Sequence, residues 1–210
     1  MLSEVRTGPI LTQDGAVNPG RSTRDGSMVT AFGNAEYQEL VSRGQVFVGA
    51  NQGPGGTTTT VGLAATYTGL CINNPANSGK NLVMIHFGLS VVGAPTALST
   101  IGLLGGFAAA GVVTHTTPLV PLSTFLNTNI ATGVAKCDSA CTLVGTPVIL
   151  MPLATIPITG ATAQVVNPAV SGVYIDLKGA VVVPPGGYIA AYTSTVITVI
   201  AGFMWAEVPA

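Results

Sequence analysis

The three cysteines and two histidines are the residues of this chain best suited to bind a metal or act as nucleophiles. Cys137 and Cys141 lie in the segment Lys-Cys-Asp-Ser-Ala-Cys, with three residues between the two thiols. A structural zinc site needs four ligands, so two more would have to come from Cys71, His86 and His115, and no spacing motif links these to the segment. Two other interpretations stay open, a local disulfide between Cys137 and Cys141 and free thiols in a reducing compartment.

Acid–base or nucleophilic catalysis finds little support in the sequence. His86 lies in an alternating apolar segment, and His115 lies in Thr-His-Thr-Thr-Pro, which reads as a loop or strand end. The carboxylates beyond the first 43 residues are Asp138, Asp176 and Glu207, too few to assign a paired acid–base site. Neither a Gly-x-Ser-x-Gly segment nor a phosphate-binding glycine motif occurs. The sequence therefore predicts a protein that is not an enzyme, with no catalytic residue, no cofactor and no metal.

The chain is poor in charge. Seven basic and eight acidic residues make up 7% of it, whereas about 25% is usual for a soluble domain. A compact monomer of 21.0 kDa exposes roughly 9,000 Å², which leaves about one charge per 600 Å². Such thin charge cover predicts that part of the surface is buried against other chains. The basic residues are few and scattered, which argues against direct binding to nucleic acid.

The apolar segments are too short to suggest a membrane anchor. The most apolar run, 101–113, contains four glycines, whereas a spanning helix needs about 20 apolar residues. Residues 1–6 lack the apolar core of a signal peptide. We therefore expect a protein that is made in the cytoplasm and makes no contact with a membrane.

The charges divide the chain into an arm and a body, because nine of the fifteen fall within the first 43 residues. We assign 1–44 to an N-terminal arm and 45–210 to a nearly uncharged domain. The arm is rich in Gly, Ser, Thr and Asp without apolar periodicity, which predicts an extended segment. One short helix is expected at its end, with Asn34 as the N-cap, Glu36 in the first turn and Gly44 as the stop.

The domain is predicted to consist of strands and turns. The clearest strand is 80–92, where apolar residues at every second position from Val83 to Val91 mark one face as core. The other predicted strands are 45–50, 61–72, 103–114, 148–153, 173–177, 180–183, 188–193 and 195–207. Eight to ten strands with little room for helices predict an all-β fold, a jelly-roll-like antiparallel β-sandwich preceded by the extended arm.

Two segments are candidate contact surfaces. The run 101–113 has no charge, and it fits either a core strand or a strand that contacts another subunit. Trp205, near the end of the chain, fits either a core position or an interface, where tryptophan is enriched.

Further segments carry a resemblance to a known class of protein. They are Tyr37-Gln-Glu-Leu-Val-Ser-Arg-Gly-Gln-Val-Phe47, Tyr67-Thr-Gly-Leu70, Asn74-Pro-Ala-Asn-Ser-Gly-Lys-Asn-Leu82, Val183-Pro-Pro-Gly-Gly-Tyr188 and Phe203-Met-Trp-Ala-Glu-Val-Pro209. Together they span most of the chain, mainly at turns and strand ends. They resemble tailed-bacteriophage virion proteins with small β-sandwich subunits. The resemblance implies a capsid cement protein, or a tail or fibre protein, often a trimer, and brings no catalytic residues with it.

We therefore expect a non-enzymatic structural subunit of a bacteriophage virion, a capsid cement or decoration protein that stabilises the shell through oligomeric contacts. The expected partners are other copies of the chain, in a homotrimer, and virion proteins such as the major capsid protein. The expected location is the virion, assembled in the host cytoplasm. One alternative is a tail or fibre module that binds a host surface receptor or glycan, and another is a hydrolase on a β-sandwich.

Overall fold

The computed structural model describes residues 36–51, 57–59, 63–93, 97–108, 114–125, 133–156 and 172–210. Most of the predicted arm, including the expected N-cap Asn34, lies outside the described residues. The chain divides into two compact units, Met1–Glu39 and Leu40–Ala210. Strands hold 66% of the described residues and helix holds 4%, so the prediction of an all-β chain is confirmed.

The described residues form one short helix and twelve strands in chain order. The elements are α1 (Gln38–Ser42), β1 (Val46–Ala50), β2 (Thr57–Thr58), β3 (Thr66–Asn73), β4 (Lys80–Val91), β5 (Ser99–Phe107), β6 (Thr114–Leu119), β7 (Leu122–Ser123), β8 (Lys136–Thr142), β9 (Val148–Ile156), β10 (Gly172–Val183), β11 (Gly187–Thr193) and β12 (Thr198–Pro209). The predicted helix is present but only five residues long. Gly44, at a φ of 67°, ends it in the left-handed region that favours glycine.

The strands form two antiparallel sheets that pack face to face. Sheet I has the order β10-β4-β12-β1-β7, with β2 also beside β12, and sheet II has the order β6-β8-β3-β11-β5-β9. The pairing of strands within the sheets is nested along the chain. In sheet I, β1 pairs with β12 and β4 pairs with β10, and in sheet II, β3 pairs with β11 and β5 pairs with β9. This nesting is the jelly-roll arrangement, so the predicted fold class is confirmed.

The core lies between the two sheets and follows the period of two in each strand. In β12, the side chains of Val199, Ala201, Phe203 and Trp205 are buried in the core, while Ile200 and Met204 lie on the outer face. Trp205 is fully buried and stacks on Phe47 with 6.3 Å between ring centroids. Trp205 is therefore a core residue, as one of the two sequence interpretations held. Burial of one large apolar side chain contributes about 1.5–3 kcal/mol.

β10 is one strand where the sequence predicted two. The predicted strands 173–177 and 180–183 both belong to it, and its register against β4 shifts between Asp176 and Val181. Lys178 and Gly179 at this shift have φ values of 46° and 76°. A β-bulge accommodates such residues without ending the strand. The gap predicted between strands 173–177 and 180–183 is therefore a bulge within one strand.

The chain between β5 and β9 adds strands that were not predicted. The predicted strand 103–114 agrees with β5 over 103–107 but not in its bounds, because β5 begins at Ser99 and ends at Phe107; residues 109–113 lie outside the described residues. β6 and β8 extend sheet II beyond β3, and β7 pairs with β1 in sheet I. We call the chain between β5 and β9 the insertion. Glu207 anchors it, since the buried carboxylate of Glu207 accepts hydrogen bonds from the backbone N–H groups of Val134 (2.9 Å) and Ala135 (3.1 Å).

The three cysteines are buried free thiols. Cys137 lies in the core between the sheets, whereas Cys141 and Cys71 lie in a second cluster on the opposite face of sheet II. The local disulfide is therefore wrong for this fold. Residues four apart in a strand are roughly 13 Å apart, while the Cα atoms of a disulfide lie within about 7 Å.

Candidate functional site

An apolar surface lies where β9 and β10 form edges of the two sheets among the described strands. β9 is the last strand of sheet II and β10 is the last strand of sheet I. β9 reads Val-Ile-Leu-Met-Pro-Leu-Ala-Thr-Ile and contains no charged residue. Proteins that stay monomeric usually protect an edge strand with charges, prolines or bulges. Pro152 offers some protection in the middle of β9, but the beginning of the strand is apolar throughout.

The beginning of β9 turns three consecutive apolar side chains outward. The register against β5 shifts between the pairs Leu103–Met151 and Leu104–Ile149, so Leu150 is the extra residue of a bulge. Val148 and Ile149 precede it in the strand. The three side chains are between 43% and 54% exposed, because β9 is an edge strand among the described strands of sheet II.

Two residues from other strands extend this surface, Phe107 at the end of β5 and Val182 in β10. We define the apolar edge as five residues that are each between 43% and 59% exposed, namely Phe107, Val148, Ile149, Leu150 and Val182. An open cavity of about 320 Å³ lies among four of them, all but Ile149. Contiguous apolar surface of this kind marks contact sites on soluble proteins. The apolar edge is therefore suited to contact with another protein surface.

The predicted contact segment 101–113 is divided between core and surface. Ile101, Leu103 and Leu104 are fully buried, as the core-strand interpretation held, and only Phe107 reaches the apolar edge. Residues 109–113 lie outside the described residues.

Each histidine of the chain pairs with an aspartate, which the sequence did not predict. His86 and Asp176 are register partners on β4 and β10, and their Nδ1 and Oδ1 atoms lie 3.4 Å apart. His115 on β6 lies with Nδ1 2.5 Å from Oδ2 of Asp138 on β8. Both pairs form across neighbouring strands of a sheet, so only the strand order and register bring them together.

The carboxyl group of Asp138 is buried on the face of sheet II that carries Cys71 and Cys141. Its Oδ1 atom has no hydrogen-bond partner among the described residues. Burial raises the pKa of Asp138 above its ordinary 3.8, and the hydrogen bond and charge of His115 partly offset this rise. The pKa of Cys71 is also raised, by its hydrogen bond to Cys141 and by burial, which keeps this thiol protonated and unreactive.

The raised pKa of Asp138 predicts a pH-dependent contribution to stability. The folded protein holds this proton more tightly than the unfolded chain, so the stabilisation is fully present below the ordinary value of 3.8 and is lost as the pH rises through the folded-state value. We expect the free energy of unfolding of the wild type, relative to Asp138→Asn, to fall as the pH rises above the ordinary value of 3.8. Urea unfolding of both proteins across that range measures it, and a constant or rising difference would contradict the assignment.

Within the part of the chain that the structure describes, no group of three His, Cys, Asp or Glu side chains is placed to bind a metal ion. In particular, Cys137 faces away from Cys141, so the Cys-x₃-Cys segment does not bring two thiols together. The described helix is too short to cross a membrane.

Comparison with known proteins identifies no relative of this chain. No family model, curated protein or solved structure gives a significant match to the chain.

Proposed function

We propose that this protein is a non-enzymatic structural subunit of a bacteriophage virion, a capsid cement or decoration protein. In this role it forms a homotrimer and binds other virion proteins, such as the major capsid protein, on the outside of the shell. The apolar edge is the observation that carries the proposal, since it presents five large apolar side chains on an otherwise sparsely charged domain.

The apolar edge supports self-association for a physical reason. Apolar surface removed from water contributes about 25 cal/mol per Å², and stable interfaces bury about 800 Å² per partner. A surface built from two sheet edges in one subunit presents the same side chains in every copy. Rotation about a threefold axis then lets each copy bury its apolar edge against a neighbour.

The fold and the composition support the bacteriophage part of the proposal. Jelly rolls are common in viral capsid domains, although lectins and cupins share them. A subunit whose surface is covered by neighbours needs few charges for solubility, and the chain has 7%. The resemblance of its strand-end segments to phage virion proteins points in the same direction.

The mass of the purified protein tests the oligomer. We expect light scattering coupled to size exclusion to give about three times the chain mass of 21.0 kDa at micromolar concentration. A stable monomer under these conditions would refute the trimer. Electron microscopy of phage particles labelled with an antibody against this chain tests the location, because label on the capsid supports decoration, whereas label on the tail supports the tail or fibre alternative.

A further inference from the structure

A trough crosses the outer face of sheet I at right angles to its strands. Its floor is one row of register partners, Ala50 on β1, Gly202 on β12 and Gly88 on β4. Tyr174 on β10 is the next partner in this row and stands at its end. Because three neighbouring strands all carry a small residue in the same row, the surface is lowered over a length of roughly 10 Å.

Larger side chains border the floor on both sides. Residues two positions from the floor along each strand point to the same face of the sheet. On one side of the floor they form a border that consists of Val48, Met204, His86 and Asp176. The other border consists of Ile200 and Ser90, with Gly172 leaving a gap at the β10 end. An open groove of about 460 Å³ lies over the floor on the side of Ile200 and Ser90, with Tyr174 also in its lining.

Tyr174 is the aromatic end wall of this trough. The side chain is 70% exposed, yet its position is fixed. Its hydroxyl lies 2.9 Å from Nδ1 of His86, and the two rings are 5.4 Å apart between centroids. A Cβ added to Gly88 would lie 3.9 Å from Cδ2 of Tyr174, so the ring lies beside that glycine at the end of the floor. An exposed aromatic ring held in one orientation is preorganised to contact a ligand.

We propose that this trough binds an unbranched, neutral oligosaccharide of pyranose units. The flat C–H face of a pyranose ring packs against an aromatic ring and against a glycine and alanine floor. Its hydroxyl groups point outward, where the hydroxyl of Ser90, which lines the groove, is placed to accept or donate hydrogen bonds. Ligand sites commonly combine apolar surface with a few placed polar groups in this way.

A sugar suits the trough better than an extended peptide. The backbone N–H and C=O groups of the floor are used in the ladders between β1, β12 and β4. A peptide lying across these strands would bring N–H and C=O groups that need partners, and the floor offers none. The hydroxyl groups of a sugar reach the border side chains while its apolar face covers the floor.

The sugar site does not rest on the virion assignment and lies apart from the apolar edge. Tyr174 and Val182 are both on β10, but eight residues separate them, which corresponds to roughly 26 Å along a strand. Loss of sugar binding and loss of self-association are therefore separately measurable.

Isothermal titration with the full chain tests the proposal. The probes are maltotetraose, cellotetraose, chitotetraose and mannotetraose, together with an array of bacterial surface polysaccharides to identify other sequences of sugars. We expect at least one to bind. Tyr174→Ala should weaken that binding at least about tenfold, and Tyr174→Phe, which keeps the ring, should stay within about threefold.

A second variant tests the floor without touching the tyrosine. In Gly202→Val the first added carbon fits, because it would lie 3.7 Å from Cβ of Ala50, and the remaining methyl groups rise into the trough. We expect it also to weaken binding at least about tenfold, while Leu98→Ala, at an exposed position just before β5 in the other sheet, leaves binding unchanged. Unchanged melting temperatures and oligomer mass show that each variant is folded. Absence of binding to every probe at millimolar concentration, or binding that either Tyr174→Ala or Gly202→Val leaves intact, overturns the proposal.

Discussion

Val148→Asp is expected to convert the oligomer to monomers at micromolar concentration. Val148 begins β9 in the centre of the apolar edge, with Phe107 and Leu150 lining the same cavity. A carboxylate buried there in an interface would have no cationic partner, since the five residues of the apolar edge are all apolar. An unpaired charge in a buried interface costs about 3 kcal/mol, which corresponds to roughly a hundredfold rise in the dissociation midpoint. Sedimentation velocity over a dilution series measures that midpoint.

Val148→Thr is the matched control for this prediction. Threonine has nearly the shape of valine and the same preference for strands, so it removes apolar character without adding charge. We expect its dissociation midpoint to rise less than about tenfold. The role of the apolar edge is contradicted if Val148→Asp keeps the wild-type mass, or if the aspartate and threonine variants dissociate equally. Circular dichroism of the monomeric variant then shows that the sandwich itself is intact.

Glu207→Ala is expected to lower the free energy of unfolding by about 3–5 kcal/mol. The carboxylate of Glu207 is buried and accepts hydrogen bonds from the N–H groups of Val134 and Ala135. The indole Nε1–H of Trp205 lies a further 3.4 Å from Oε1. Each buried donor left without an acceptor costs about 1–3 kcal/mol. For a protein of this length such a loss lowers the melting temperature by roughly 10 °C, which calorimetry measures directly.

Two further substitutions separate the hydrogen bonds of Glu207 from its volume and charge. Glu207→Gln keeps the shape but replaces one acceptor oxygen by a donor, so we expect roughly half of the loss seen for alanine. Asp176→Ala removes an exposed carboxylate from the same sheet and should cost less than about 1 kcal/mol. Equal stability of the alanine, glutamine and wild-type proteins would exclude Glu207 as the residue that fastens the insertion. Hydrogen exchange should show faster exchange at Val134 and Ala135 in Glu207→Ala.

Strands that face the core were predictable from sequence, and strands of the insertion were not. The predicted bounds 80–92 agree with β4, and Phe87 and Leu89 face the core as predicted. The predicted core face is wrong at the beginning of the strand, where Leu82 and Met84 pack in the core and Val83 does not. The register against β12 skips Ile85, and such a bulge reverses the alternation.

β6 has almost no buried residue, so no apolar period marks it. β8 is also missed, since Cys137 and Cys141 turn to opposite faces and break the alternation. β8 forms by pairing with β3, and β6 forms by pairing with β8, and local sequence carries no record of these pairings.

The apolar edge and the trough form only when the strands are ordered in their sheets. The sequence therefore identified some of their strands but not the two surfaces. The segment 148–153 was predicted as a strand, yet its apolar residues gave no sign that β9 lies at an edge. The row formed by Ala50, Gly202, Gly88 and Tyr174 joins four strands that are distant in the chain. A glycine within a strand indicates, by itself, only that the strand is locally weakened. The exposure of Tyr174 follows from its place on the outer face of an edge strand, a property of the assembled sheet.

The nested pairing of the strands also determines when the fold becomes complete during synthesis. β12 lies between β1 and β4 in sheet I, so the last of the described strands to be translated separates two of the first. Ribosomes release a chain from its N-terminus onward, and β1 and β4 therefore wait for β12 before their sheet closes. Such long-range closure makes folding slow compared with helical domains of the same size. The uncharged β9 is translated before β12, and it is most vulnerable to aggregation in the interval between the two.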